Sequence, residues 1–477
     1  MTSTSRRSHT PSPADTGESA AATALIGTVS GALRSFWAGR GVVLLLDDFD
    51  HRATSLVGEL RACGARVEAV IARTGPGPGA PEVAESWHCS DAGLRLSRPD
   101  FEAWLRDPSD DVLRWLDVRD PARQWLALGT PRTGAAEVLG RTVYGWRRPE
   151  WAAVEDKTTI DQLWAAAGVA SPPYLVGQVE DVLRRPDAAA GIGGPAGVVV
   201  AADSTRGHVG DSLGLRWVPR PGGFVDAVRD LAGRSDRVRV ARFADGVPCS
   251  VLGMALPDGI AVFAPIEIVT LGDPSTGRLL FCGSSTHWRP GDEAERDIRS
   301  AARRAGAELV RTTGYRGIFS VDGLLTPEGF TATELNPRHA SGLGLRAARP
   351  DFPVYLFNRA VQEELPGLEG VGSAALERFV RRAVAAAPSY ALTVPVTAAG
   401  HPDGPGRLHH GGQAIDHHTA DGVATLSALT PPAAGHRAGP ACAALAAHLG
   451  DPGARSFPLG AGAAQGPGTP GRTETAH

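Results

Sequence analysis

The stretch that most constrains this chain is residues 314–338, Gly-Tyr-Arg-Gly-Ile-Phe-Ser-Val-Asp-Gly-Leu-Leu-Thr-Pro-Glu-Gly-Phe-Thr-Ala-Thr-Glu-Leu-Asn-Pro-Arg. Two strand-like runs flank Thr326-Pro327-Glu328-Gly329. Pro at the second and Gly at the fourth turn position make this an antiparallel hairpin. Alternation along a strand puts Glu334 and Asn336 on one face. Across the hairpin, Asp322 lies directly opposite Glu334 or on a diagonal, depending on the register. Two carboxylates and an amide oxygen then converge. That is a hard-oxygen set suited to Mg²⁺, which keeps waters and takes its remaining ligands from substrate phosphates. Arg338 follows on the same side, with a planar fork that fits a phosphate or a carboxylate. An acidic pair alone reads first as a solvated surface hairpin; the whole set reads as a site.

A second feature is the lysine count. Lys and Arg together number 48, and Lys157 alone among them is lysine. GC-rich coding bias explains a general replacement of Lys by Arg. It leaves open why one Lys stands in Glu155-Asp156-Lys157-Thr158-Thr159, either by chance or because a compact ammonium is needed there. After it, Ile160, Leu163, Trp164 and Ala167 fall on one helical face, with Asp156, Thr158 or Thr159 to cap the start and Gly168 the end. Lys157 thus sits at a helix N-terminus, where backbone N–H groups favour an anion.

Upstream, Val42-Val43-Leu44-Leu45-Leu46-Asp47, a helical pattern over 53–63 and an apolar run over 66–72 make a β-α-β unit, hence a parallel sheet covered by helices. Between the two features lie a strand over 197–202, a small-residue loop carrying Arg206, a helix over 224–232 and a strand over 237–243. Runs 247–256 and 260–271 pair as a hairpin, and 292–310 is a long helix. The expected class is α/β, with α+β character in the middle. Residues 1–38 read as a disordered tail rather than a signal peptide. An N-terminal α/β domain over 39–150, a second, larger domain over 151–368, a small α+β module over 369–459 and a disordered tail over 460–477 complete the layout.

With 477 residues, a net charge of −4 and no sustained basic run, the chain shows no nucleic-acid or anionic-membrane signature. No apolar stretch is long enough to span a bilayer. Cys63, Cys89, Cys249, Cys282 and Cys442 are scattered without a Cys-x-x-Cys pair, which fits a reducing cytoplasm better than a disulfide framework. A P-loop is excluded because the lone lysine lacks the preceding glycines, and no Gly-x-Ser-x-Gly elbow occurs. His409-His410 and His417-His418 read as a solvated loop, with a metal site as the rival. Glu267, inside an apolar strand, is open between a site role and a structural one.

Glu334-Leu335-Asn336-Pro337-Arg338 resembles the magnesium strand of the ATP-grasp superfamily, with Asp322 where that family places its other metal carboxylate. Asp156-Lys157, the helix and Gly168-Val169-Ala170-Ser171-Pro172-Pro173 resemble the opening of its nucleotide domain. The likeness covers about residues 150–365. It implies ATP and Mg²⁺, with Lys157 on the phosphates and Asp322, Glu334 and Asn336 on the metal. Arg338 would steady the transferred phosphoryl group or the carboxylate, and backbone groups of Ala241 and Phe243 would lie beside the adenine. The implied reaction joins a small-molecule carboxylate to an amine through an acyl phosphate; the alternative is a degenerate member that binds nucleotide without turnover. The family pattern also implies a second lysine before the small-residue loop, where this chain has Ala201 and Ala202; Arg206 is the nearest cation and would take its place as a binding or catalytic group. Substrate identity and oligomeric state are not specified.

Overall fold

The computed structural model describes residues 13–204, 214–340, 342–432 and 437–459, with side chains from residue 20 on. Arg206 and the segments 1–12 and 460–477 lie outside the described residues. The chain divides into two compact units: residues 1–146 with 256–259 and 349–383, and residues 147–255 with 260–348 and 384–477.

The first unit is built on a parallel four-stranded sheet in the order β3-β2-β1-β4, formed by β1 (Gly41–Asp48), β2 (Arg66–Thr74), β3 (Ser86–His88) and β4 (Leu126–Leu128). The run Val42-Val43-Leu44-Leu45 is fully buried, as a parallel strand covered on both faces requires. Helices α1 (Pro13–Trp37), α2 (Thr54–Ala62), α3 (Arg98–Trp104) and α4 (Asp110–Arg119) belong to this unit, as does the small hairpin β5 (Glu137–Val138) and β6 (Arg141–Thr142).

Helix α1 corrects the reading of residues 1–38 as a disordered tail, from residue 13 onward. Leu25, Val29, Leu33 and Trp37 recur every fourth residue and are buried, and Trp37 meets Tyr144 edge-on at 5.0 Å. The Gly and Ser residues that suggested disorder lie off that stripe, so the helical period survives them. Residues 349–383 also belong here rather than to the middle or last domain. Glu59 of α2 caps the helix Val354–Gln362, accepting the Leu356 N–H at 3.0 Å.

The second unit begins with α5 (Pro149–Ala153) and α6 (Ile160–Ala167), and holds two antiparallel sheets. In the smaller, β7 (Tyr174–Gln178), β8 (Val198–Ala202), β9 (Leu215–Val218) and β10 (Arg237–Arg242) run in the order β7-β10-β8-β9. One face carries Val198, Val200, Ala202, Val238 and Val240, which pack with Phe224, Val228 and Leu231 of the helix Phe224–Ala232.

The larger sheet has 11 strands. Its first part comprises β11 (Val247–Leu256), β12 (Gly259–Val262), β13 (Ile266–Asp273), β14 (Arg278–Ser285), β15 (Gly317–Thr326) and β16 (Gly329–Asn336). Phe263-Ala264-Pro265 splits the expected second hairpin strand into β12 and β13, because proline cannot donate to the ladder. The helix Asp292–Thr313 covers one face with Ile298, Ala302, Ala305 and Leu309.

The expected C-terminal module is not separate. β17 (Tyr390–Pro395) pairs with β14, and β18 (Gly404–His410), β19 (Gln413–Ala420) and β20 (Val423–Thr430) continue the same sheet, while β21 (Arg455–Ser456) pairs with β13. The histidine pairs lie on β18 and β19 and not in a loop. Neighbours there point to opposite faces, and among the described residues no group of three His, Cys, Asp or Glu side chains is placed to hold a metal.

Glu267 resolves as structural. Fully buried on β13, it accepts the Ala438 N–H at 2.6 Å, the Gly439 N–H at 3.1 Å and the Arg437 Nε at 3.2 Å, capping the helix Gly439–His448 with a charge. The described cysteines are free and buried, and no helix among the described residues is long and apolar enough to cross a membrane.

Two stability measurements follow from these contacts. Trp37→Ala is expected to cost about 3–5 kcal/mol in denaturant unfolding; a change below about 0.5 kcal/mol would return α1 to the status of a tail. Glu267→Ala leaves two N–H groups at the helix start without their acceptor and Arg437 without its carboxylate partner, and is expected to cost about 3 kcal/mol, with Glu267→Gln losing less.

Candidate active site

The hairpin β15–β16 sets the site. Its register places Asp322 directly opposite Glu334 and Ser320 opposite Asn336, while Ser250 of β11 is the partner of Asp322 on the other side. All five side chains therefore share one face. A bulge follows at once: Asp322 pairs with Glu334 but Gly323 with Ala332, so Thr333 is extra and its hydroxyl donates to the Asp322 carbonyl at 3.2 Å. Only glycine fits at 323, because a Cβ there would stand 2.4 Å from the Thr331 carbonyl oxygen.

Asp322 is held by donors on both oxygens. The Ser250 hydroxyl donates to Oδ1 at 2.6 Å and Asn336 Nδ2 to Oδ2 at 3.0 Å. Burial, then the neighbouring Glu334 carboxylate, push the Asp322 acid up to about 6. Asn336 differs from expectation in orientation. Its Oδ1 accepts from Arg338 Nη2 at 2.8 Å, so the amide nitrogen and not the oxygen faces Asp322. The reason is the guanidinium next to it, which needs an acceptor.

Lys157 lies in the turn before α6, where Asp156 Oδ1 accepts from the Thr158 N–H at 2.8 Å and its hydroxyl at 2.7 Å. Asp156 thus fixes the turn that presents Lys157, whereas Thr159, at the helix N-cap, makes no side-chain cap bond. Gly168 ends α6 in the left-handed conformation. The Lys157 ammonium stands 2.9 Å from Glu334 Oε1. Arg338 is anchored behind: its Nε meets Glu155 Oε1 at 2.8 Å, and Arg147 meets the same oxygen at 2.7 Å. Lys157, Asp322, Glu334, Asn336 and Arg338 are therefore brought together by direct contacts.

Lys157, Asp322 and Glu334 line a cavity of about 270 Å³ whose other walls are largely apolar, among them Val199, Leu215, Ile268, Leu279 and Phe281. Ala241 and Phe243 line it too, but the Phe243 N–H is committed to the Gly197 carbonyl at 3.0 Å. That donor is spent within the fold, which corrects its expected availability to a base. Ala201 is in the wall.

Sequence reasoning missed Arg239, whose Nε and Nη2 pair with Asp161 at 2.5 and 2.8 Å while the residue lines the cavity. It also missed Ser250, Glu155 and Arg147. The signal for Arg239 was a charged residue inside Val238-Arg239-Val240, the same signal that singled out Glu267. Only Arg239 lines the cavity.

Two carboxylates, with an amide close by, are too few for an all-protein cage. They fit Mg²⁺, which fills its octahedron with waters and phosphate oxygens. The raised Asp322 pKa gives a measurable consequence. The folded value lies above the unfolded one, so the carboxylate costs stability as pH rises from about 4 through about 6, and the cost is full above that. Without divalent cations, Asp322→Asn is expected to be more stable than the parent at pH 8, on the order of 1–3 kcal/mol. The advantage should vanish below pH about 4; a pH-independent difference would contradict it.

No protein-family model matches the chain, and no curated protein matches it. Solved structures do. The L-amino acid ligase from Bacillus licheniformis superposes with a TM-score of 0.50 at 13% identity, over 88% of this chain and 99% of that one. The biotin carboxylase domain of Hydrogenobacter thermophilus 2-oxoglutarate carboxylase, in complex with MgADP, ADP and bicarbonate, gives 0.49 at 13% identity, over 67% and 69%. An Aspergillus clavatus carboxyaminoimidazole ribonucleotide synthase complexed with ATP gives 0.46 at 14%, over 69% and 77%. At 13% identity the first of these likenesses is one of fold: the chain shares the fold of the L-amino acid ligase over nearly that protein's whole length.

Proposed function

We propose that this chain is an ATP-dependent carboxylate–amine ligase acting on small carboxylic or amino acids. The observation that carries the reading is the Asp322–Glu334 pair with Lys157 at 2.9 Å, all lining one largely apolar cavity. The solved L-amino acid ligase supports the substrate class only through its likeness of fold.

In the proposed reaction a carboxylate oxygen attacks the γ-phosphorus of ATP and the bond to the ADP oxygen breaks. The amine nitrogen then attacks the acyl carbon, phosphate leaves with the bonding pair, and the nitrogen loses a proton to solvent. Asp322 and Glu334 would hold Mg²⁺, with the Asn336 amide available if it turns, and the ion would neutralise charge on the phosphates. Lys157 exchanges its carboxylate partner for a phosphate oxygen, a swap that needs no new cation to be buried. Arg338, fixed through Glu155, offers remaining N–H donors to the phosphoryl group or the carboxylate.

One observation favours a second reading, a nucleotide-binding protein without turnover: Ala201 stands in the cavity wall where the family pattern implies a lysine.

Calorimetric titration with ATP tests both. Magnesium-dependent binding is expected, with a gain of about 2.7 kcal/mol in stability at hundredfold excess over Kd. ADP release should then require both an acid and an amine. Lys157→Ala is expected to lower kcat/KM about 10²- to 10³-fold with the fold intact. Binding without ADP release across an acid–amine panel selects the second reading, and no binding at millimolar ATP rejects both.

A further inference from the structure

Arg239 stands out among the cavity residues because its position has no need of a charge. It lies on β10, the strand flanked by both β7 and β8, where it is directly opposite Ala201 of β8 and Val176 of β7. Directly opposed residues project from one face. Arg239 and Ala201 therefore share the face turned away from the apolar layer of Val198, Val200, Val238 and Val240, and both line the cavity.

Keeping a guanidinium on such a wall is costly in water lost, and the Asp161 carboxylate offsets it. As a fastener for α6 this pair is a poor choice, since apolar residues of similar volume usually stabilise as well or better. What the pair does provide is a cation held in one orientation. Asp161 takes Nε and Nη2, the Tyr174 ring lies 5.0 Å beneath the guanidinium carbon, and Nη1 carries further N–H donors. Asp161 is one helical turn after Lys157, so the start of α6 positions both cations. A polyphosphate carries more charge than the Lys157 ammonium can balance.

We propose that Arg239 is a second polyphosphate-binding cation of this cavity, aimed by Asp161 from the sheet wall opposite Ala201. This rests on the reading of the cavity as an ATP site. It also identifies a binding residue beyond Lys157 and Arg338 and predicts that its charge can be moved across the strand pair.

The test compares ATP, ADP and adenosine by calorimetry with Mg²⁺ on wild type, on Arg239→Met/Asp161→Leu, and on the latter with Ala201→Lys added. The apolar exchange leaves no buried charge unpaired; Arg239→Gln/Asp161→Asn replaces it should it not fold. The double variant is expected to bind ATP and ADP about ten- to a hundredfold more weakly, the range of charge-assisted hydrogen bonds, with adenosine within twofold. Adding Ala201→Lys should recover most of the loss. Equal weakening of ATP and adenosine, or unchanged ATP affinity, overturns the role of Arg239 while leaving the ATP site standing. A wild-type protein that binds adenosine but gains nothing from the phosphates overturns this role, and one that binds no ATP overturns the reading beneath it.

Discussion

The site depends on two carboxylates held nearer each other than either would choose. Asp322 and Glu334 face one another because the β15–β16 register allows nothing else, and the burial that sharpens their repulsion comes from the same sheet. The neighbouring polar groups are arranged to bear that repulsion. Ser250 and Asn336 donate to Asp322, Lys157 lies against Glu334, and Arg338 reaches Asn336 from an anchor on Glu155. Such an arrangement costs stability in the free protein, and a divalent cation is what would recover it.

Much of this was legible in the sequence, for local reasons. Turn chemistry at Pro327 and Gly329 and the two-residue alternation bring Asp322, Glu334 and Asn336 onto one face of a hairpin. The lone lysine before a capped helix was equally visible. Register was not, since the directly opposed and diagonal pairings of Asp322 differ by a bulge that no residue announces. The orientation of Asn336 depends on a guanidinium two residues on, and alternation says nothing about which amide atom that guanidinium draws.

Other features were hidden because they are long-range. Helix α1 holds to its unit through a stripe of four well-spaced apolar residues, diluted in a Gly- and Ser-containing window whose average looks like a tail. Residues 349–383 return to the first unit because Glu59, nearly three hundred positions earlier, caps one of their helices. The strands after residue 389 look like a module in sequence yet extend an existing sheet through β14 and β17. Arg239 and Glu267 carried the same sequence signal and met opposite fates, one on a cavity wall and the other beneath a helix.

Lys157 has a chemical consequence of its own. A chain with a single lysine has a single side-chain amine, and here that amine lies against a carboxylate inside the cavity. Acylating or carbamylating reagents that scatter over the surface of an ordinary protein find one side-chain target here. Covalent labelling at this position would thus report access to the cavity itself, with no other side-chain amine in the chain to compete.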